Sequence, residues 1–121
     1  MARIGMDMGK HDGVKVDMSI DEGSIVAGTN TVPGTLSLKN ENLHPVIELE
    51  CQIDSKLNIM PSNFSFKKIN PGDTKTVHLV VNVPESTEPG SYKIMINLDF
   101  KIDTPPVVTP ALTITVTKTP E

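Results

Sequence analysis

Residues 70–100 read NPGDTKTVHLVVNVPESTEPGSYKIMINLDF, two runs of alternating apolar and polar residues, each entered through a Pro-Gly turn. A period of two sends successive side chains to opposite faces of an extended strand, which no helix shares. Proline presets φ at each turn, and glycine accepts the positive φ that follows. In the first run Val77, Leu79, Val81 and Val83 take one face, with Thr76, His78 and Asn82 on the other. Pro84 has no N–H to give a ladder and ends it. After Glu88-Pro89-Gly90-Ser91, the second run sets Tyr92, Ile94, Ile96, Leu98 and Phe100 on one face. Two antiparallel strands of a sandwich are what this layout specifies.

The same period recurs elsewhere. Val14, Val16, Met18 and Ile20 alternate with Lys15, Asp17 and Ser19. A Gly-containing segment over 21–34 follows, with a short extended piece at 24–26, and then Leu36 and Leu38 point inward. The clearest strand sets Ile47, Leu49, Cys51 and Ile53 against Glu48, Glu50, Gln52 and Asp54. A one-residue slip there would bury its charges, so its register is fixed. Short pieces at 57–60 and 64–69 follow, and Leu112, Ile114 and Val116 close the chain's last strand. Residues 1–13 carry no sustained period and are expected to form a flexible leader, with the domain over 14–118 and a tail at 119–121. The fold class predicted is all-β, an immunoglobulin-like Greek-key sandwich of about seven to eight antiparallel strands. The strands of Val14, Leu36 and Val77 should share one sheet, and those of Ile47, Tyr92 and Leu112 the other.

A chain of 121 residues is the size of one domain with a core of its own. Its single cysteine, Cys51, excludes an intrachain disulfide. A net charge of −4 with acids and lysines interspersed argues against nucleic acid as a partner. No window approaches the roughly 18 apolar residues of a membrane span. The first residues lack the apolar stretch of a signal peptide, so on this ground the expectation is either a cytosolic protein or one module of a longer exported chain.

The strand end LKN, the run INPGDTKTVHLVVNVP and the run EPGSYKIMI together resemble the immunoglobulin-like modules called NEW3, found in bacterial and archaeal surface proteins and appended to glycosidases. More distantly the chain is similar to sperm-protein, PapD-like and ASPM/SPD-2/Hydin modules. The resemblance covers about residues 14–117. It implies a non-catalytic structural or adhesive unit of a surface or extracellular assembly, and through the PapD-like likeness an intracellular scaffold or chaperone-like module that pairs strands with a partner. Tyr92 stands where such folds place a corner tyrosine whose hydroxyl bonds nearby backbone.

Catalytic equipment is not legible. Cys51 shares the parity of Leu49 and Ile53 and reads as a small core hydrophobe. A blue-copper site needs two histidines and a cysteine together, usually with a methionine, and here Cys51, His78 and Met95 are scattered. Met1, Met6, Met8 and His11 carry the soft groups that take Cu(I), which makes copper handling by the leader a distant reading. His11, His44 and His78 read as solvated, with no Gly-x-Ser-x-Gly elbow beside them. Glu48, Glu50 and Asp54 form a solvated row, which Lys93 and Lys101 on the neighbouring strand are placed to face. No enzyme activity and no cofactor are therefore expected.

The contact surface expected is loop-built. Asn42, His44 and Pro45, then Asn70 and Asp73, then Asp103, Pro105 and Pro106 belong to three loops that this topology gathers at one end. The stiff Pro105-Pro106 pair would lose little entropy on binding. The partner expected is a protein, or a second copy meeting edge strands, those of Val14 and Leu112 being the ones expected open.

Overall fold

The computed structural model describes residues 3–100 and 105–118. Asp103 and Lys101 lie outside them, as do Met1 and the tail. The described chain is all-β, with eleven strands: β1 (Ile4–His11), β2 (Val14–Ile20), β3 (Ser24–Val26), β4 (Asn30–Asn40), β5 (Val46–Ser55), β6 (Asn58–Met60), β7 (Asn63–Ile69), β8 (Thr74–Val83), β9 (Gly90–Asp99), β10 (Val107–Val108) and β11 (Leu112–Thr117). They form two facing sheets, ordered β1-β2-β4-β8-β6 and β3-β11-β9-β5-β7, with β10 beside β9. The expected division of the main strands between the sheets holds. The count exceeds the expected seven to eight through β1 and the short β3, β6 and β10.

The flexible leader is a correction. Residues 4–11 form β1 and pair along β2, with Ile4 opposite Ile20 and Met6 opposite Met18. Ile4, Met6 and Met8 point inward, and Met8 is fully buried. The turn that makes this hairpin is Asp12-Gly13, with φ of 48° and 79°. Asp-Gly accepts two positive φ values in succession and joins right-twisted strands by two residues. A register shift between Asp7 and Lys10, around Gly9, had hidden the alternation.

Further corrections concern β4 and β5. The Gly-containing segment is largely strand: β4 starts at Asn30 and pairs with β8 over all ten residues of the latter. Gly34 packs tightly inside it: a Cβ there would lie 2.6 Å from Ile20 Cδ1 and 3.0 Å from Ser19 O, so a side chain would have to push these neighbours aside. In β5 the alternation breaks at Glu48, whose φ is 54°. Ile47 is thereby turned outward, 43% exposed, and Val46 fills the core instead.

The edges also differ from expectation. β1 covers the strand of Val14, and β3 covers the last strand by parallel pairing of Ser24–Val26 with residues 115–117, so neither is open and the sandwich is not wholly antiparallel. β10 and β11 behave as one interrupted strand along β9, with a one-residue shift between them. Thr109 fills the gap: it is buried, and its Oγ1 accepts the Ile96 N–H at 2.9 Å.

The core between the sheets is aliphatic, including Val16, Ile20, Leu36, Leu38, Leu49, Leu79, Ile94, Ile96, Leu98 and Ile114. Cys51 belongs to it at 3% exposure, and burial pushes its thiol pKa up to about 12. At pH 8 roughly one thiol in 10,000 would be ionised. Alkylation of the native protein is therefore expected to be slow and to become rapid in denaturant; equal rates would contradict this burial. The raised value also means that stability falls as pH rises from about 9 towards 12, by up to about 1.4 kcal/mol per pH unit.

Candidate partner-binding surface at the loop end

One buried polar residue organises an end of the sandwich. Asn40, the last residue of β4, is fully buried. Its side-chain Nδ2 donates to His44 O and to Ile69 O, both at 2.9 Å, and its Oδ1 accepts the Asn42 N–H at 2.9 Å. Its backbone N–H donates to Asp73 O at 3.0 Å, and its carbonyl accepts the Gly72 N–H at 2.8 Å. A single side chain thus ties the loop of residues 40–45 to the end of β7, while its backbone holds the turn of residues 70–73. The β1–β2 turn joins the same knot. Asn42 Nδ2 donates to Asp12 O at 2.8 Å, and the Glu41 N–H donates to Gly13 O at 2.8 Å.

Of the expected contact residues, the structure brings together Asn42, His44, Pro45, Asn70 and Asp73. Pro105 and Pro106 are exposed. Pro106 lines a shallow depression on the outer face of the second sheet with Glu50, Gln52, Asn97 and Asp99. The knot does not include it.

Leu43 is the residue that sequence reasoning passed over. It is 99% exposed at the tip of the knotted loop, between half-buried Asn42 and exposed His44. A lone apolar residue in a polar turn gives no periodic signal. Asn40 was equally hidden, since an asparagine ending a strand reads as a turn former.

Charge frames this end. Lys10, Lys15 and Lys39 stand directly opposite one another across β1, β2 and β4. Like charges so placed repel. Glu41 answers them, its carboxylate 3.1 Å from Lys10 Nζ. The hydrogen bond and charge of Lys10, helped by Lys39 and Lys15, hold Glu41 below its ordinary 4.5. A depressed carboxylate pKa gives stability that is present above the ordinary value and lost as pH falls through the folded one. In Lys10→Ala the Glu41 resonance is expected to titrate closer to 4.5; an unchanged midpoint would show that the pair does not form.

The three groups of the blue-copper pattern, Cys51, His78 and Met95, lie apart in the fold. Cys51 lies in the core, opposite Leu98 and Phe64 on the neighbouring strands. His78 lies on the exposed face of the first sheet, opposite Thr35, and Met95 lies opposite Asp54. Met8 is buried, and the His11 ring sits 2.8 Å from Met8 O, so this histidine is not the solvated group expected. The residue opposite Glu50 is Asp99; Lys93 stands opposite Thr113 on the β11 side and, two residues before Met95, lies diagonal to Asp54 on the β5 side. At the opposite end of β9, the Tyr92 hydroxyl donates to Glu88 O at 2.5 Å, as a corner tyrosine would.

No family model and no curated protein sequence matches the chain. Its fold is similar to the cupredoxin domain of amoB from Nitrosocaldus yellowstonii, with a TM-score of 0.57 at 15% identity over 88% of each chain. It is similar as well to a FixG-related protein from Vibrio parahaemolyticus, with a TM-score of 0.54 at 12% identity over 88% of this chain and 98% of that one. A third likeness, with a TM-score of 0.60 at 15% identity, covers 91% of this chain but only 8% of Escherichia coli alpha-2-macroglobulin. These likenesses and the topology define the class: an immunoglobulin-like β-sandwich. Among the described residues no helix is long and apolar enough to cross a membrane.

Proposed function

We propose that the chain is a non-catalytic protein-interaction module of structural or adhesive type, which meets its partner through the loop end. The observation that carries this reading is Leu43, a large apolar side chain held almost wholly in solvent by a loop whose backbone Asn40 fixes. Ordering such a loop in advance lowers the entropy cost of binding, and an apolar side chain among polar ones fits the apolar centre and polar rim of a contact. Asn42, His44, Asn70 and Asp73 supply that polar surround, with Pro45 beside them. The likeness of sequence runs to surface-protein modules supports an assembly at a cell surface as the setting.

The test is affinity capture from an extract of the source cells with the wild-type protein and with Leu43→Asp. The reading expects proteins retained by the first and lost, by about tenfold or more, with the second. Equal retention by the two would contradict it.

A further inference from the structure

The sandwich carries one strand position that is only partly filled. On one side β8 is paired with β4 throughout; on the other it meets β6 at residues 80–82 alone. Among the described residues, nothing pairs with the outer edge of β8 over residues 74–79. An unpaired edge leaves every second N–H and C=O directed at solvent, a template for another strand.

The other margins are blunted in recognised ways. β3, β6 and β10 are three, three and two residues long. β1 carries the register shift at Asp7/Lys10. β7 carries Lys67 and Lys68 in succession, both exposed. Short strands, bulges and edge lysines all discourage pairing, and on β8 the inward Lys75 does so against any strand that brings no acid to meet it.

Side chains around the open stretch point the same way. In β8 the inward residues Leu79, Val81 and Val83 are buried, while Val77 is only half-buried. In β7, which ends the facing sheet on that side, Ile69 is buried while Phe64 and Phe66 are half-buried. The two phenylalanine rings pack edge-to-face, with centroids 5.7 Å apart. Core-facing apolar surface is therefore left incompletely covered on both sheets, beside the stretch where the backbone edge is open.

Lys75 selects the occupant. It has the inward parity of Val77, is half-buried, and forms no ion pair with any described residue. Residues directly opposite in an antiparallel pair share a face. A second copy pairing through the same edge would thus set Lys75 against Val77, Leu79 or its own counterpart. Each of these desolvates the ammonium without an anion, which opposes self-pairing. A strand with a carboxylate at that position makes a charge-assisted contact instead.

We propose that residues 74–79 of β8 accept an extended segment of a partner protein as an added strand in line with β6. Its inward side chains are apolar, apart from an Asp or Glu opposite Lys75. The inference rests on the interaction-module reading only in taking the partner to be a protein; the surface is distinct from the Leu43 end.

The experiment is amide hydrogen exchange on the full chain, with and without short Val/Thr-alternating peptides that carry one Glu at each register in turn. A matched Gln set serves as control. At least one Glu register is expected to slow exchange among residues 74–79 and to bind about tenfold tighter than its Gln match. Lys75→Glu should transfer that preference to a Lys peptide. Lys75→Gln, a milder change, should abolish the Glu–Gln difference. Leu43→Asp should leave all of this unchanged, which separates this site from the loop end. Protection falling on β7, protection that appears with protein concentration and no peptide, or no protection by any peptide would each overturn the proposal.

Discussion

Asn40→Ala is expected to lower the unfolding free energy by about 3 kcal/mol, the cost of leaving several loop-end groups without partners. The side chain removed serves His44 O, Ile69 O and the Asn42 N–H, and the residue is fully buried. Alanine offers none of these contacts. Asn40→Asp should be no rescue, since it replaces the donor for two carbonyls with an acceptor and adds a buried charge. Urea unfolding reads both, and the variants should keep the wild-type m-value if only the folded state has changed. A loss below about 1 kcal/mol for alanine would mean that the loops hold themselves without it.

A variant lacking residues 1–11 is expected not to fold at 25 °C. It loses the whole of β1, leaves the β2 edge bare and opens the core where Met8 sat. Truncating one buried methionine costs about 2–5 kcal/mol, and a domain's total stability is roughly 5–15 kcal/mol. Met8→Ala separates the packing contribution from the pairing contribution, with an expected loss of about 3 kcal/mol. A truncated chain with wild-type dichroism and an unchanged urea midpoint would restore the view of this segment as a leader.

That segment shows where the sequence was legible and where it was not. Long alternations such as those of Val77–Val83 and Tyr92–Phe100 name their strands, because each buried position is a large aliphatic or aromatic residue. In β1 the outward positions include Gly5 and the strand contains a register shift, so the same period carries little contrast. The Asp12-Gly13 turn was the available signal, being a two-residue hairpin former next to Val14. Ile47 was misplaced for a different reason: nothing in its neighbours announces that Glu48 adopts a positive φ.

The loop end was legible only as an address. Proline and asparagine placed the turns at residues 40–45 and 70–73, and the topology brought them together. That Asn40 ties them, and that Leu43 is the side chain left outside, depends on contacts between residues 29 apart in sequence, which no local pattern encodes. The open edge of β8 was likewise out of reach, because it depends on how short β6 is. β6 ends at Met60, and Pro61, which cannot donate to a ladder, follows it before β7 begins.

The claim on which the functional reading depends is that the loop of residues 40–45 is ordered before any partner arrives. Backbone ¹⁵N relaxation on the isolated protein tests it directly. The hydrogen bonds around Asn40 predict order parameters for Asn42, Leu43 and His44 near those of the strands, about 0.85. Values below about 0.6 at these three residues would contradict the account, since Leu43 would then be a mobile side chain on a loose turn.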